Sequence, residues 1–281
     1  MRRVNVAGDA IFVDEIGIET GIHGDFRLKS TYQPIFRREL STLRPAAVEG
    51  HMAAFVDGIE VPPGRPLEDA DPSDRLFVKG MCRELHLRNH HNIGVADLDL
   101  FVRYDPGASR DPKAVARDVA GLARRLGEIE LDPRLVVCAL GETGELDLSA
   151  LLVLVGEMHR HGLRVALDDF GGGDATFERI GLLRPDIVKT DGDWFRRLCA
   201  SQPTSKLFCS IAETIRGFGA TVLVDGVETP AQLRVALDAR AEFLQGCLLA
   251  RPALAGTIFD PTPLDIAGLL QADAKVVSLF G

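Results

Sequence analysis

Carboxylates stand directly behind apolar, β-rich runs at four places in the chain: Val48-Glu49, Leu140-Gly141-Glu142, Leu167-Asp168-Asp169 and Val224-Asp225. A fifth run, Pro185-Asp186-Ile187-Val188-Lys189, ends on a lysine, with Asp191 two residues further on. Acids brought together repel one another unless a cation or a proton sits among them, and an all-oxygen donor set favours hard divalent ions such as Mg²⁺ or Mn²⁺. Metal-assisted phosphoryl chemistry is the natural use of such a cluster. A lone Asp behind a strand is equally well a helix N-cap. The Asp168-Asp169 pair, followed by Phe170-Gly171-Gly172-Gly173, is harder to explain in that way, because the glycines let the backbone turn tightly beside it.

Such side chains meet only if their strand ends share one rim. Eight runs read as strands: Phe26–Phe36, Pro45–Val48, Leu98–Arg103, Leu135–Leu140, Arg164–Leu167, Ile187–Thr190, Thr221–Val224 and Glu242–Leu244. Most are separated by segments of helical period, the pattern of β/α units on a parallel sheet, and eight such strands suggest a closed barrel with its C-terminal strand ends on one face. Asp111-Pro112 starts a helix whose Val115, Val119, Leu122 and Leu126 form one stripe, and Thr229-Pro230-x-Gln232 is a capping box. A further helix is expected to open at Asp147, and another to occupy about 73–90. Residues 57–72, rich in Pro, Gly and Asp, read as a loop. Residues 1–25 and 256–281 are expected to flank a barrel spanning 26–255.

The composition agrees with a folded protein: of 281 residues, 46% are hydrophobic and 26% charged, which excludes a disordered chain. Asp and Glu total 41 against 32 Lys and Arg, a formal charge of −9, so the average surface repels nucleic-acid backbones and anionic lipid. Neither a nucleic-acid polymer nor a membrane is expected as a partner. The five cysteines, Cys82, Cys138, Cys199, Cys209 and Cys247, have no CxxC or metal-type spacing, and reduced thiols in the cytoplasm are the expectation.

Five motifs, in order, resemble the EAL domain family of bacterial cyclic di-GMP phosphodiesterases and their inactive relatives. They are Tyr32-Gln33-Pro34-Ile35, Asp168-Asp169-Phe170-Gly171-x-Gly173, Lys189-x-Asp191, Asp225-Gly226-Val227-Glu228-Thr229 and Gln245-Gly246-x-Leu248-x-x-Arg251-Pro252. The resemblance implies a TIM-like β/α barrel with one antiparallel strand. In active members it also implies two Mg²⁺ or Mn²⁺ ions that activate water to open cyclic di-GMP to linear pGpG. It carries metal-ligand roles to Glu49, Glu142, Asp168 and Asp169, catalytic roles to Lys189, Asp225 and Glu228, and ligand contacts to Gln33 and Gln245, with Arg103 added as a ligand-binding candidate because it brings a cation to the same pocket.

The same resemblance marks departures. The signature Glu-Ala-Leu falls on Glu49-Gly50-His51, and the phosphate-binding Arg four positions after the Glu is Ala53. A metal-ligating Asn is replaced by Arg103, a ligating Glu by Ala139, and a site Glu by Asp225. A fixed cation in place of a neutral oxygen excludes a divalent ion from that spot, and losing an arginine fork removes a strong phosphate contact. The expected protein is therefore a degenerate, non-catalytic member acting as a receptor or protein-interaction module, with residual Mg- or Mn-dependent hydrolysis as the alternative. Metal, if used, would be Mg or Mn, and none is a possible state. The expected partners are cyclic di-GMP, a protein, or a second copy in a homodimer. Arg103 is expected to replace the metal as counter-ion to Glu49 or Asp168, with Asp105 as a substitute ligand if the strand bulges there.

Overall fold

The structure, a computed structural model, describes residues 10–95, 97–105, 111–141, 148–173 and 175–271. Its strands are β1 (Ile11–Val13), β2 (Glu19–His23), β3 (Phe26–Arg38), β4 (Thr42–Val56), β5 (Ile59–Val61), β6 (Asp99–Arg103), β7 (Val136–Leu140), β8 (Arg164–Phe170), β9 (Ile187–Thr190), β10 (Thr221–Val224), β11 (Phe243–Leu244), β12 (Ala253–Leu254) and β13 (Leu264–Asp265). Its helices are α1 (Arg65–Glu68), α2 (Pro72–Asn89), α3 (Pro112–Glu128), α4 (Leu148–Arg160), α5 (Phe177–Leu183), α6 (Gly192–Leu198), α7 (Gln202–Gly217), α8 (Pro230–Asp238) and α9 (Ile266–Gln271).

Eight of these strands close on themselves in the order β3-β4-β6-β7-β8-β9-β10-β11, and β11 pairs back onto β3. Every ladder from β4 to β11 is parallel, while β3 runs antiparallel to both its neighbours. The expected α/β barrel with one inverted strand is the fold. Strand alternation builds its core in two layers. Ile35, Ala47, Phe101, Val137, Ala166, Ile187, Leu223 and Phe243, one from each strand, fill the interior. Their neighbours, such as Val48, Leu100, Leu167, Val188 and Val224, face the helices and meet stripes such as Val115, Val119, Leu122 and Leu126 of α3. The Thr229 capping box on α8 forms as its sequence spacing requires.

The structure adds to the sequence reading at three places. β4 does not stop at Val48 but continues to Val56, and β3 follows it antiparallel as far as Arg27↔Phe55. The residues read as a loop over 57–72 contain β5 and α1, because Asp57 and Gly58 both adopt positive φ (51° and 81°) and turn β4 into a hairpin with β5. β2 and β1 add to the other side of β3, so a small antiparallel sheet rises above the rim, with Leu28 and Ala54 packed on Val78, Met81 and Leu85 of α2. Asn89 at the end of α2 fixes the entering chain, accepting from Glu19 N–H and donating to Glu19 C=O, both at 2.8 Å. The expected helix start at Asp147 and the site residue Glu142 lie outside the described residues.

Candidate functional site

Two residues beyond each interior core residue, toward the same end of the barrel, stands one more inward side chain. Going round, these are Gln33, Glu49, Arg103, Ala139, Asp168, Lys189, Asp225 and Gln245. The period of two along each strand makes this ring obligatory once the core layer is set, and β3, being inverted, contributes the residue two positions before its core residue. The rim thus gathers three carboxylates, two cations, two amides and one methyl. A register shift between Leu167 and Phe170 in the β8–β9 ladder inserts the extra residue that leaves Asp168 in the ring and turns Asp169 out of it, with Asp169 at φ 56°. Gly172 and Gly173 N–H groups then fold back onto the Asp169 carbonyl at 3.0 and 3.1 Å. Gly171, at φ 94°, has no room for a Cβ, which would lie 2.2 Å from the Trp194 ring.

At the centre is Lys189. Its Nζ lies 2.7 Å from both Glu49 oxygens, 3.3 Å from Asp225 Oδ2 and 4.0 Å from Asp168 Oδ1, with its side chain 6% exposed. Burial opposes the lysine charge, but Asp168, Glu49 and Asp225 outweigh it and hold the ammonium protonated well above the ordinary range. Burial also raises Glu49, yet Lys189, aided by His51 with Nε2 at 3.4 Å, drives it down to about 2. Asp168 is pushed up to about 6, mainly by burial, with the Glu49 and Asp169 charges adding to the effect against Lys189. Gln33 donates to the Ala250 carbonyl at 3.1 Å. Gln245, wholly buried, helps to lower Glu49, although neither of its amide atoms reaches hydrogen-bonding geometry with a protein partner.

Arg103 does not pair with Glu49 or Asp168, so the counter-ion expected from the sequence is Lys189 instead. Lysine reaches across the ring on a slim stem and already saturates Glu49. The Arg103 guanidinium, half exposed, leans over the end of β7, with contacts of 3.8 Å to Asp105 and 3.9 Å to Asp169. Ala139 and Gly141 leave it that space, since a Cβ on Gly141 would fall 2.6 Å from Arg103 Nη2. Asp105 is not turned toward the ring acids as a substitute ligand but pairs with Lys79 of α2 at 2.9 Å. Glu228 is exposed and pairs with Arg196 at 3.0 Å, outside the lysine cluster. Asp191 caps α6, accepting from Trp194 N–H at 2.6 Å.

Metal fit follows from these donors. Both oxygens of Glu49 are taken by an ammonium, Arg103 brings positive charge, and Ala139 brings no donor. Among the described residues no group of three or more His, Cys, Asp or Glu is arranged to hold a metal. They do not fit a two-ion centre. A cleft of about 470 Å³ opens from the ring toward α2, bounded by Glu49, His51, Arg103, Asp168 and Lys189 together with Met52, Leu67, Lys79, Cys82 and Arg83. The α2 contribution escaped the sequence reading, although Lys79, Arg83 and His86 are spaced i, i+4, i+7 on one helix face. His86 also packs against Gly50, where a Cβ would sit 2.7 Å from its ring.

The architecture is a β/α barrel with a single inverted strand and an acidic rim bridged by lysine. Residues 22–252 match the EAL domain, and the chain belongs to that family. It is 26% identical over 185 residues to the cyclic di-GMP phosphodiesterase NbdA of Pseudomonas aeruginosa, covering 65% of this chain and 23% of that protein. It is 30% identical over 95 residues to the cyclic di-GMP phosphodiesterase PdeL of Escherichia coli, covering 34% of this chain and 26% of PdeL. The chain thus matches about a quarter of the length of either relative. Among solved structures, a standalone EAL protein from Vibrio cholerae in its c-di-GMP-bound form superposes with a TM-score of 0.70 at 19% identity, over 82% of this chain and 94% of the other. No described helix is long and apolar enough to cross a membrane.

Proposed function

We propose that this chain is a non-catalytic EAL domain that receives cyclic di-GMP and passes the signal on by protein contact. The observation that carries the reading is the rim itself: Lys189 takes both Glu49 oxygens, and the neighbouring ring positions offer Arg103 and Ala139. Phosphodiester hydrolysis of the two-ion type requires both ions fixed by a full ligand set, and each missing donor lowers affinity and spoils geometry together. Lys189 here bridges three acids, Gln33 and Gln245 present amides at the ring, and among the described residues no group of three or more His, Cys, Asp or Glu is arranged to hold an ion. The phosphodiesterase relatives and the ligand-bound Vibrio structure make cyclic di-GMP the ligand of choice.

The test is chromatographic detection of pGpG from cyclic di-GMP with Mn²⁺ in excess, paired with equilibrium binding of the intact dinucleotide. The reading expects binding without product. Turnover near 1 s⁻¹, an ordinary enzyme rate, would replace it with a working phosphodiesterase.

A further inference from the structure

The cleft beside the ring balances its own charge. Among its described lining residues, four lysine and arginine side chains face four carboxylates, so the formal charges of the lining cancel and a ligand with two singly charged phosphodiesters meets no excess of carboxylates there even with no divalent ion present. The cations are unevenly placed. Lys189 is spent on the ring acids, whereas Lys79, Arg83 and Arg103 line the cleft near α2.

Each of these three is held but not saturated. Arg83 lies over the Tyr104 ring, with Cζ 4.6 Å from its centroid, a cation–π contact that holds the guanidinium at the cleft wall without using up its N–H donors on a carboxylate. Arg103 touches carboxylates only at 3.8 and 3.9 Å, beyond hydrogen-bonding length, and is half exposed. Lys79 makes one short bond, to Asp105 at 2.9 Å. Asp105 therefore has one cation close on one side and Arg103 more loosely on the other, in the position of an anion between two cationic arms. Met52 and Leu67 give the same cleft an apolar surface for a ring or sugar.

We infer that Lys79, Arg83 and Arg103 form a phosphate grip that works without a divalent ion, and that Asp105 occupies the grip until a ligand phosphodiester displaces it. The inference rests on the cyclic di-GMP reading for the identity of the ligand, but its geometry is independent of that reading. The grip stands in for the arginine missing at Ala53, from a different element of the fold.

The experiment is calorimetric titration of cyclic di-GMP and, separately, of linear pGpG into the full chain in EDTA. The unmodified protein is compared with Lys79→Ala, Arg103→Ala and Asp105→Asn. Arg37→Ala, at the other end of β3, serves as control, and melting curves check that each variant is folded. Binding in EDTA should weaken at least tenfold in Lys79→Ala and in Arg103→Ala, and tighten severalfold in Asp105→Asn, a reversal of sign that loss of packing would not produce. Binding of cyclic di-GMP that is unchanged across the three variants would overturn the grip and leave the proposed function standing. Failure to bind cyclic di-GMP with or without Mg²⁺ would overturn the function. In that event pGpG decides the grip: binding that is lost in Arg103→Ala upholds it, and no binding refutes it.

Discussion

Replacing Lys189 with Met removes the one cation within 4.0 Å of all three ring acids among the described residues, while keeping the length of the side chain. Two 2.7 Å charge-assisted bonds to Glu49 are lost outright, and Glu49, Asp168 and Asp225 are left facing one another. Breaking a buried pair by removing one partner typically costs about 3–5 kcal/mol, since the remaining charge keeps its desolvation penalty. For a chain of this size that is a fall in melting temperature of roughly 6–15 °C. The pH dependence gives the sign. With lysine present, Glu49 is depressed to about 2, so it contributes stability above its ordinary value near 4.5 that is lost only as the pH falls toward 2. Without lysine, Glu49 and Asp168 both rise above the ordinary carboxylate range, so the variant is least impaired near pH 4.5 and loses stability as the pH climbs through the raised values. Urea unfolding of wild type and variant at pH 5 and pH 7.5 measures this, with Glu49→Gln combined with Lys189→Met expected to recover at least half of the loss at pH 7.5. A deficit below about 1 kcal/mol, the range of an exposed ion pair, would refute the claim that lysine holds the ring together. So would an equal deficit at the two pH values.

Acid sensitivity of the unmodified chain should come chiefly from two buried imidazoles. Burial lowers His86 to about 3 and His90 to about 4, so each contributes stability above pH 6.5 that falls away below it by about 1.4 kcal/mol per pH unit. Asp168, raised to about 6, works in the opposite direction below that pH, leaving a net loss of about 2–3 kcal/mol between pH 6.5 and 5. A flat urea midpoint over that interval would contradict the assignment. Phe101→Ala empties the middle of the barrel interior and should cost about 3–5 kcal/mol by chemical denaturation. Gly246→Ala places a Cβ 2.2 Å from the Val227 carbonyl oxygen at a φ of 154°, and a loss of about 2–3 kcal/mol is expected, read from the same unfolding curves.

Much of the rim was legible in the sequence because the strands carry their own period. Once Val48-Glu49, Leu167-Asp168 and Val224-Asp225 are read as strand ends of a barrel, their convergence follows from geometry, and the inward ring extends the same rule to all eight strands. The direction of Arg103 was not legible. A long, flexible side chain at a rim goes to whichever partner is unclaimed, and Glu49 was already claimed by Lys189 from across the ring, a span set by barrel radius rather than by local sequence. Asp105 looks like a ligand in the sequence for the same reason, since nothing local to it places Lys79 of α2 within reach. The hairpin at Asp57-Gly58 carried a recognisable turn signal that the surrounding proline-rich composition obscured. Glu228 sits in a conspicuous motif, yet its helix-start position places it beside Arg196 rather than over the ring.

The central claim, that Lys189 and its neighbours have replaced the metal centre, is tested most directly by counting bound ions. Mn²⁺ titrated into the protein can be followed by the electron paramagnetic resonance signal of the free ion, first alone and then with cyclic di-GMP. The account predicts that the free-ion signal rises in step with added Mn²⁺ through the submillimolar range in both cases. Loss of one or two equivalents of signal per chain would contradict it.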